Sequence, residues 1–404
     1  MRITPISIKN EKDVRDLLTC LGVSSQGVRI LAPKTLYSVF KIEGIKSWEA
    51  NVIKQHLLAL GSDAAIERDA LVKNIKTDVL VFGSYSQIKK LVQKLSNQPF
   101  SLNEISKKLL FYIENLSKKE FVFYSKDKVL RIKKPVICAI LNATDDSFSG
   151  DGLYSQVTSL RQAKDLAVKK TSKMIKNGAK IIDIGGESSR PFSKKINERE
   201  EIKRVIPLLK VLRKKFKKTI ISIDTYKYNV AKAAIAEGVD VINDITAFRA
   251  STKMAALVKK HKLGCILMHM KGMPSTMQIK PKYKDVMADI FDFFEDRLDY
   301  CKRIGIDDSR ILIDPGIGFG KRVEDNLRII NELYKLKVFG LPIFLGLSRK
   351  SFIGKILNVD ESQRLMGTIA AGVISVMKGA NILRVHDTAG NYQALKITSQ
   401  IIGG

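Results

Sequence analysis

Eight short apolar runs alternate with helical patterns after Pro135, and this alternation constrains the fold more than any other feature. The runs lie at 136–141, 181–184, 219–223, 239–242, 265–268, 311–313, 343–347 and 382–385, and helical patterns lie at 162–177, 198–216, 285–304 and 361–378. Continuous apolar strands separated by helices are typical of a parallel sheet that is covered on all sides. Eight such units in roughly 270 residues predict a closed (β/α)₈ TIM barrel.

A doubly wound open sheet is the alternative architecture. Its usual dinucleotide-binding form carries G-x-G-x-x-G after the first strand, and no such pattern follows the run at 136–141. The barrel is therefore the favoured prediction, and it occupies residues 131–404.

Residues 1–130 predict a smaller α/β domain followed by a basic linker. Helical patterns at 47–60 and 86–95 flank an apolar strand at 77–82. The Lys-rich segment 107–135 is interpreted as a helix followed by an extended linker. No motif for a second activity stands in this region, so its role stays open.

Composition limits the classes of protein to which the chain can belong. With 404 residues, 45% of them hydrophobic and 27% charged, the composition is that of a folded globular protein. No apolar run approaches the about 20 residues of a membrane-spanning helix, and the polar N-terminus lacks a signal-peptide pattern. We therefore expect a cytoplasmic protein without membrane segments. The scattered cysteines argue against disulfide and metal-thiolate frameworks; they are Cys20, Cys138, Cys265 and Cys301.

The net charge of +29, from 70 basic and 41 acidic residues, is the unusual number in the composition. A non-catalytic nucleic-acid binder is one explanation, because clustered Lys and Arg supply affinity for phosphates. However, the lysines are spread over predicted helix surfaces without interleaved aromatic residues, which favours solvated faces over a nucleic-acid partner.

Polar side chains follow nearly every apolar run, at the barrel end where active sites of this architecture lie. They include Asn142, Asp224, Asn243, His269, Asp314, Lys350, Arg384 and His386. Carboxylates and amides suit a flat heterocycle with several N–H donors, whereas the cationic groups suit anionic oxygens. The glycine-rich string PGIGFGK lets the backbone approach a ligand closely, but it lacks the spacing of a nucleotide-binding P-loop.

These strings together resemble the signatures of dihydropteroate synthases. In order they are NATDDSFSGDG, DIGGESSRP, SIDTYK, VINDI, MHMKGMPSTMQ, DPGIGFGK, GLSRKSFIG and RVHDT. Each follows its own predicted strand, and the resemblance extends from about residue 132 to the C-terminus. It implies a pterin-binding barrel that condenses 4-aminobenzoate with (7,8-dihydropterin-6-yl)methyl diphosphate, giving 7,8-dihydropteroate and diphosphate in folate biosynthesis. It also implies a target for sulfonamides.

The resemblance assigns roles to individual residues. Asp224, Asn243 and Asp314 would hold the pterin ring edge, Lys350 its carbonyl side, and Phe319 would line the same site. Of these assignments, the catalytic ones are Lys350, Arg384 and His386. Arg384 and His386, with Asn142, would receive the diphosphate, and Asn142 would also bind Mg²⁺.

The resemblance assigns the aminobenzoate pocket to residues of two loops and to the residue beside Lys350. The residues are Phe148, Ser189, Arg190, Pro191 and Ser351. The chain departs from the family's pattern in the same loops, where Asp145 replaces a usual Pro, Ser189 a Thr and Phe192 a Gly. The resemblance therefore bears more directly on pterin binding than on the second substrate.

A methyltransferase that moves a methyl group from methyltetrahydrofolate to a corrinoid protein is the alternative enzyme on the same kind of barrel. It would share the Asp and Asn groups for the pterin but would not need the SRKS, RVHD and GGESSRP strings, all of which are present. The partners we expect are the two small-molecule substrates, without a membrane or nucleic acid, and homodimer formation is left open.

Overall fold

The computed structural model describes residues 1–6, 8, 11–99, 101–145, 152–188, 195–272, 277, 279 and 281–402. The chain divides into two compact units. One comprises Met1–Lys118 and Val338–Gly340, and the other comprises Lys119–Lys337 and Leu341–Gly404. Within the described ranges, no helix combines the length and the apolar character that crossing a membrane requires.

The first unit is a three-stranded antiparallel sheet with helices. Its strands are β1 (Tyr37–Lys46), β2 (Asp63–Ile66) and β3 (Lys76–Ser84), in the order β1-β3-β2. Its helices are α1 (Glu11–Cys20), α2 (Ser25–Thr35), α3 (Ser47–Ala59), α4 (Tyr85–Ser96) and α5 (Ser101–Leu116). Alternate residues of β3, such as Val79 and Val81, are buried in a cluster with α3, α4 and α5. The predicted strand and the two predicted helices are thus present, but β1, β2, α1 and α2 were not predicted.

The second unit begins with a two-stranded hairpin and continues as alternating strands and helices. The strands are β4 (Phe121–Ser125), β5 (Lys128–Ile132), β6 (Val136–Asn142), β7 (Ala179–Gly185), β8 (Ile220–Asp224), β9 (Val241–Asp244), β10 (Gly264–Met268), β11 (Ile311–Asp314), β12 (Phe344–Leu345) and β13 (Ile382–Val385). The helices are α6 (Leu160–Lys176), α7 (Glu198–Lys215), α8 (Tyr228–Ala236), α9 (Thr252–Lys260), α10 (Val286–Ile304), α11 (Val323–Asn331), α12 (Ser351–Leu357), α13 (Leu365–Met377) and α14 (Thr388–Ile401). Short 3₁₀ helices lie at Arg68–Leu71, Tyr154–Gln156, Asp308–Arg310, Leu333–Phe339 and Glu361–Gln363.

Strands β6 to β13 form one parallel sheet that closes on itself. Its order is β11-β10-β9-β8-β7-β6-β13-β12, and a parallel bridge from Ile313 to Ile343 joins the two outer strands. The predicted TIM barrel is therefore confirmed, and the open doubly wound alternative is wrong. Residues buried on both faces of these strands explain their continuous apolar sequence.

The segment predicted as an extended linker is instead the β4–β5 hairpin, so that part of the prediction was wrong. Phe121 and Phe123 join one buried cluster with residues of the barrel strands, among them Ile181, Ile220 and Phe344. The charged residues around the apolar stretch FVFY concealed a strand whose alternate side chains are buried.

Contact between Phe123 and the barrel is close. A Cβ atom at Gly264, the first residue of β10, would lie 2.3 Å from the Phe123 ring. Lys128 in β5 also donates to the Thr219 carbonyl at 2.7 Å and to the Asp240 carboxylate at 2.9 Å. The hairpin is therefore an integral part of the barrel core.

We expect Phe123→Ala to lower the free energy of unfolding by about 3 to 5 kcal/mol, because it would leave a large cavity against Gly264. Urea denaturation followed by circular dichroism would measure the change. Tyr124→Ala is the matched control, since Tyr124 is exposed on the other face of the strand. Equal losses in the two variants would contradict a core role for the hairpin.

Candidate active site

Four neighbouring strands present one row of residues at the carboxyl end of the barrel. Asn142 pairs in register with Gly185, Gly185 with Asp224, and Asp224 with Asn243. Gly185 adds no side chain to this row, and a Cβ atom there would lie 3.7 Å from the Asp224 Cβ. The row therefore leaves space beside the Asp224 carboxylate.

Arg384 links the carboxylates of two neighbouring strands. Its Nε donates to Asp183 Oδ2 at 2.6 Å and its Nη2 to Asp224 Oδ2 at 2.7 Å. Asn243 Nδ2 donates to the same Asp183 oxygen at 3.0 Å. Within the described ranges Asp183 Oδ1 has no hydrogen-bond partner. Asp183 thus contacts two predicted site residues, Arg384 and Asn243.

Burial and charge oppose each other in this cluster. Burial raises the pKa of Asp224 to about 7, although Arg384 acts to lower it. Burial acts to lower the pKa of Arg384, but Asp183 and Asp224 outweigh it and raise that pKa. Arg384 therefore stays charged, and a ligand that donates hydrogen bonds to Asp224 would favour the carboxylate form.

Asp314, at the end of β11, is a second buried acceptor. Its Oδ1 accepts a hydrogen bond from the Gly316 backbone at 2.7 Å. Burial raises the pKa of Asp314 to about 6, and the Gly316 bond and the charge of Lys350 oppose that rise. Its Oδ2 lies 3.9 Å from the position of a Cβ at Gly346, so the carboxylate approaches the cavity wall there.

The loop 315–321 lies against the backbone that follows β10. A Cβ at Gly316 would lie 2.0 Å from the His269 carbonyl oxygen, and one at Gly320 would lie 2.3 Å from the Lys271 carbonyl oxygen. Both glycines have positive φ, 70° and 64°, which other residues rarely adopt. The same loop places the Phe319 ring 4.1 Å from Lys350 Nζ, measured to the ring centroid.

A buried lysine and histidine support this loop, and the sequence did not reveal their pairing. Lys321 Nζ lies 2.9 Å from His269 Nδ1 and donates to the carbonyls of Phe319 at 3.1 Å and His269 at 3.3 Å. Burial lowers the pKa of Lys321 to about 7, against the charges of Asp314 and Asp325. Burial, reinforced by Lys321, lowers the pKa of His269 to about 2, so the imidazole is neutral. The lysine that ends PGIGFGK was the only available signal.

His386 and its neighbours form the opposite wall. His386 Nδ1 lies 3.0 Å from Ser348 Oγ. Arg349 makes a bidentate ion pair with Asp387, at 3.0 Å and 2.9 Å. Asp387 directly precedes α14 and makes no side-chain capping hydrogen bond to it, and the backbone N–H groups of a first helical turn have no partners within the helix.

A cavity of about 300 Å³ connects these groups. Six of the predicted residues line it: Asn142, Asp224, Lys350, Ser351, Arg384 and His386. Asn243, Asp314 and Phe319 do not line it, but each contacts or approaches a residue of this site, as described above. Phe148, Ser189, Arg190 and Pro191 lie outside the described residues, as does Phe192.

Asp145, which departs from the family pattern, forms an ion pair with Arg204 of α7. The Tyr154 hydroxyl also donates a hydrogen bond to the Arg204 backbone carbonyl at 2.7 Å. The residue that replaces a proline thus joins the first loop to α7 by a charge interaction.

No group of three or more His, Cys, Asp or Glu residues that could hold a metal ion occurs in the described ranges. Asn142, which the resemblance predicts to bind Mg²⁺, lines the cavity. A single amide oxygen suits Mg²⁺ only when a phosphate ligand and water complete the coordination.

Comparison with known proteins is consistent with this geometry. Residues 138–386 match the family model described as pterin binding enzyme. A dihydropteroate synthase of Clostridium beijerinckii is 42% identical over 271 residues, which are 67% of this chain and 95% of that protein.

Two solved structures share the barrel. The Yersinia pestis dihydropteroate synthase with a sulfonamide drug has a TM-score of 0.65 and 37% identity, covering 70% of this chain and 99% of that one. The Xanthomonas albilineans dihydropteroate synthase with 4-aminobenzoic acid has a TM-score of 0.64 and 34% identity, covering 70% and 99%. Residues 1–118, the larger part of the first unit, lie outside the family match.

The lowered pKa of Lys321 leads to a pH-dependent stability. Because burial lowers that pKa from 10.5 to about 7, the unfolded chain binds this proton more tightly than the folded chain between these values. Relative to Lys321→Met, the wild type should therefore gain about 2 to 3 kcal/mol of unfolding free energy from pH 7 to pH 9. Urea denaturation of both proteins at several pH values would measure this, and a constant difference would contradict a buried, perturbed Lys321.

Proposed function

Since the chain belongs to the dihydropteroate synthase family of pterin-binding enzymes, transferases of folate synthesis, we propose that its barrel condenses 4-aminobenzoate with (7,8-dihydropterin-6-yl)methyl diphosphate. One observation carries the proposal for this chain's own residues. The acceptor Asp224 and the cationic Lys350 and Arg384 line one cavity of about 300 Å³. The family favours this reaction over the corrinoid methyltransferase and over nucleic-acid binding.

The pterin would bind through its N–H edge. Asp314 is a buried acceptor, the Asp224 carboxylate is 13% exposed, and the buried Asn243 offers an amide. A heterocycle that lacks the matching donors would leave these groups unpaired, which provides selectivity. Phe319 would lie along the ring, while Lys350 donates to the ring carbonyl.

The diphosphate would leave toward the cationic wall. The C–O bond between the pterin methylene carbon and the diphosphate breaks, and the arylamine nitrogen forms the new C–N bond and then loses a proton. Arg384, His386 and the first turn of α14 would stabilise the departing negative charge. No protein nucleophile is needed.

Arg384 has a double role in this proposal. Two of its nitrogen atoms already bond to Asp183 and Asp224, so the side chain also supports the pterin acceptors. Its Nη1 makes no hydrogen bond to another described residue and is available to the diphosphate. Removing Arg384 would therefore weaken both pterin binding and turnover.

The 4-aminobenzoate would bind beside Ser351, which lines the cavity at the start of α12. The resemblance adds Phe148, Ser189, Arg190 and Pro191 to this pocket. Sulfonamides, one of which is bound in the Yersinia pestis relative, should compete for the same place.

Asn142 is the residue that would hold Mg²⁺, through its amide oxygen. The amide lines the cavity, and its oxygen is a suitable hard ligand. The ion would neutralise negative charge on the diphosphate.

We further propose a cytoplasmic homodimer. Free cysteines, three of them buried, suit a reducing compartment. The α13 sequence LMGTIAAGVISVM has no charged residue, yet Met366, Ile374 and Met377 are exposed. Exposed Ile356 of α12 and Ile397 of α14 extend the apolar surface on neighbouring helices, and a surface of this kind suits a subunit interface.

We expect purified protein with Mg²⁺ to release diphosphate from the dihydropterin substrate only when 4-aminobenzoate is present, with dihydropteroate formed. Asp224→Asn should weaken pterin binding by about 2 to 4 kcal/mol, since the amide replaces an acceptor with a donor. Calorimetry measures the affinity, and the surface variant Asp292→Asn is the control. Product formation without 4-aminobenzoate, or unchanged pterin affinity, would count against the proposal.

Ile374→Glu should convert the dimer to monomers, because it would bury an unpaired carboxylate in the interface. Light scattering after size-exclusion chromatography measures the mass. Lys232→Glu on α8 changes the surface charge away from α13 and should leave the mass unchanged. A wild-type monomer would refute the dimer.

A further inference from the structure

Lys227 makes three hydrogen bonds that join the two described ends of the loop between β7 and α7. Its Nζ donates to Glu187 Oε2 at 2.8 Å, before the loop, and to the Ile196 carbonyl at 2.7 Å, after it. The third bond goes to Glu201 Oε2 at 2.7 Å, in the first turns of α7. An ammonium group has three protons, so all of them have acceptors.

Glu187 completes the connection from its own side. Its Oε1 accepts a hydrogen bond from the Ile196 backbone N–H at 3.3 Å. It also bonds with the Tyr226 hydroxyl, and Tyr226 packs against the apolar cluster that contains Phe319. The two ends of the loop are thus held to each other and to the pterin side of the cavity.

This network is shielded from solvent. The side chain of Lys227 is 11% exposed, that of Glu187 is 13% exposed and that of Glu201 is 1% exposed. Burial raises the pKa of Glu201, against the charge of Lys227. Without the ammonium group, two buried carboxylates would face each other with no cation between them, and Glu187 would move toward solvent.

Moving Glu187 would alter the cavity directly. Glu187 and Ser188 line it together with Ser351, the described residue that is assigned to 4-aminobenzoate. Asp224, three residues before Lys227, accepts from Arg384 of β13, whereas Lys227 donates to Glu187, Ile196 and Glu201. Replacing Lys227 should therefore displace the ends of the loop more than it displaces the pterin acceptors.

We propose that Lys227 is a positioning residue that sets the aminobenzoate pocket by fixing Glu187 and Ile196 together. The inference rests on the proposed function, since the pocket is the one assigned to 4-aminobenzoate. It gives Lys227 a role in binding the second substrate without contact to either substrate.

Lys227→Met removes the ammonium group and keeps most of the side-chain length. The KM for 4-aminobenzoate should rise about 10- to 100-fold, because small displacements of positioning groups carry effects of that size. The pterin affinity, measured by calorimetry, should stay within about twofold of the wild-type affinity. Lys227→Arg keeps the positive charge and should bring the KM for 4-aminobenzoate most of the way back to the wild-type value. If Lys227→Met does not fold, Lys227→Met with Glu201→Gln removes one of the opposing carboxylates and is tested in its place.

Lys128→Met is the matched control. Lys128 pairs with Asp240 at 2.9 Å and is 15% exposed, so it is a similarly buried ion pair, but it lies in the β4–β5 hairpin. The Lys128→Met variant should have a lower melting temperature than the wild type, but the same KM for 4-aminobenzoate.

Three results would overturn the proposal for Lys227. These are an unchanged KM for 4-aminobenzoate, an equal loss of pterin affinity, and an equal rise in KM in Lys128→Met. A failure of the proposed reaction itself would appear separately, as absent turnover in the wild type.

Discussion

Closure of the eight-stranded sheet is the constraint on which the rest of the site depends. The bridge between Ile313 and Ile343 brings the first and last strands of the sheet order together. Every strand then delivers its carboxyl end to one ring, so residues as distant in sequence as Asp183 and Arg384 can share a hydrogen bond. In an open sheet of the same strands, the end strands would lie far apart and no common cavity would form.

Closure also concentrates ionisable groups in a small volume. At two places in this structure a single cation balances the negative charges of two carboxylates. Arg384 lies between Asp183 and Asp224, and Lys227 lies between Glu187 and Glu201. In each case one cation joins two carboxylates that are separated in the sequence. Such groups contribute less to net stability than to a defined arrangement, because burying the charges offsets much of their attraction.

The two substrates are treated differently by this architecture. The proposed pterin acceptors stand on strand ends, where the backbone ladder fixes them, and Gly316 and Gly320 pack the adjoining loop closely against its neighbour. The proposed aminobenzoate side adjoins two loops, and in the described residues Lys227 joins the ends of one, while Asp145 of the other pairs with Arg204. Asp145, the described departure from the family pattern, lies on the side that is held by charges rather than by the sheet.

Much of this molecule could be predicted from the sequence alone. The continuous apolar runs determined the strands, since only a sheet buried on both faces gives that pattern, and their number and spacing determined the barrel. The polar residues at the ends of the runs identified the rim, and five of the eight line the cavity. The hairpin that fills the barrel's other end escaped prediction, because lysines flank a strand that is buried only on alternate residues. Tertiary structure alone decided the partners: that Arg384 bonds Asp183 and Asp224, that Lys321 bonds His269, and that Lys227 joins Glu187 to Ile196. Sequence periodicity reports which face of an element is buried, whereas hydrogen bonds between distant residues depend on the register and closure of the whole sheet.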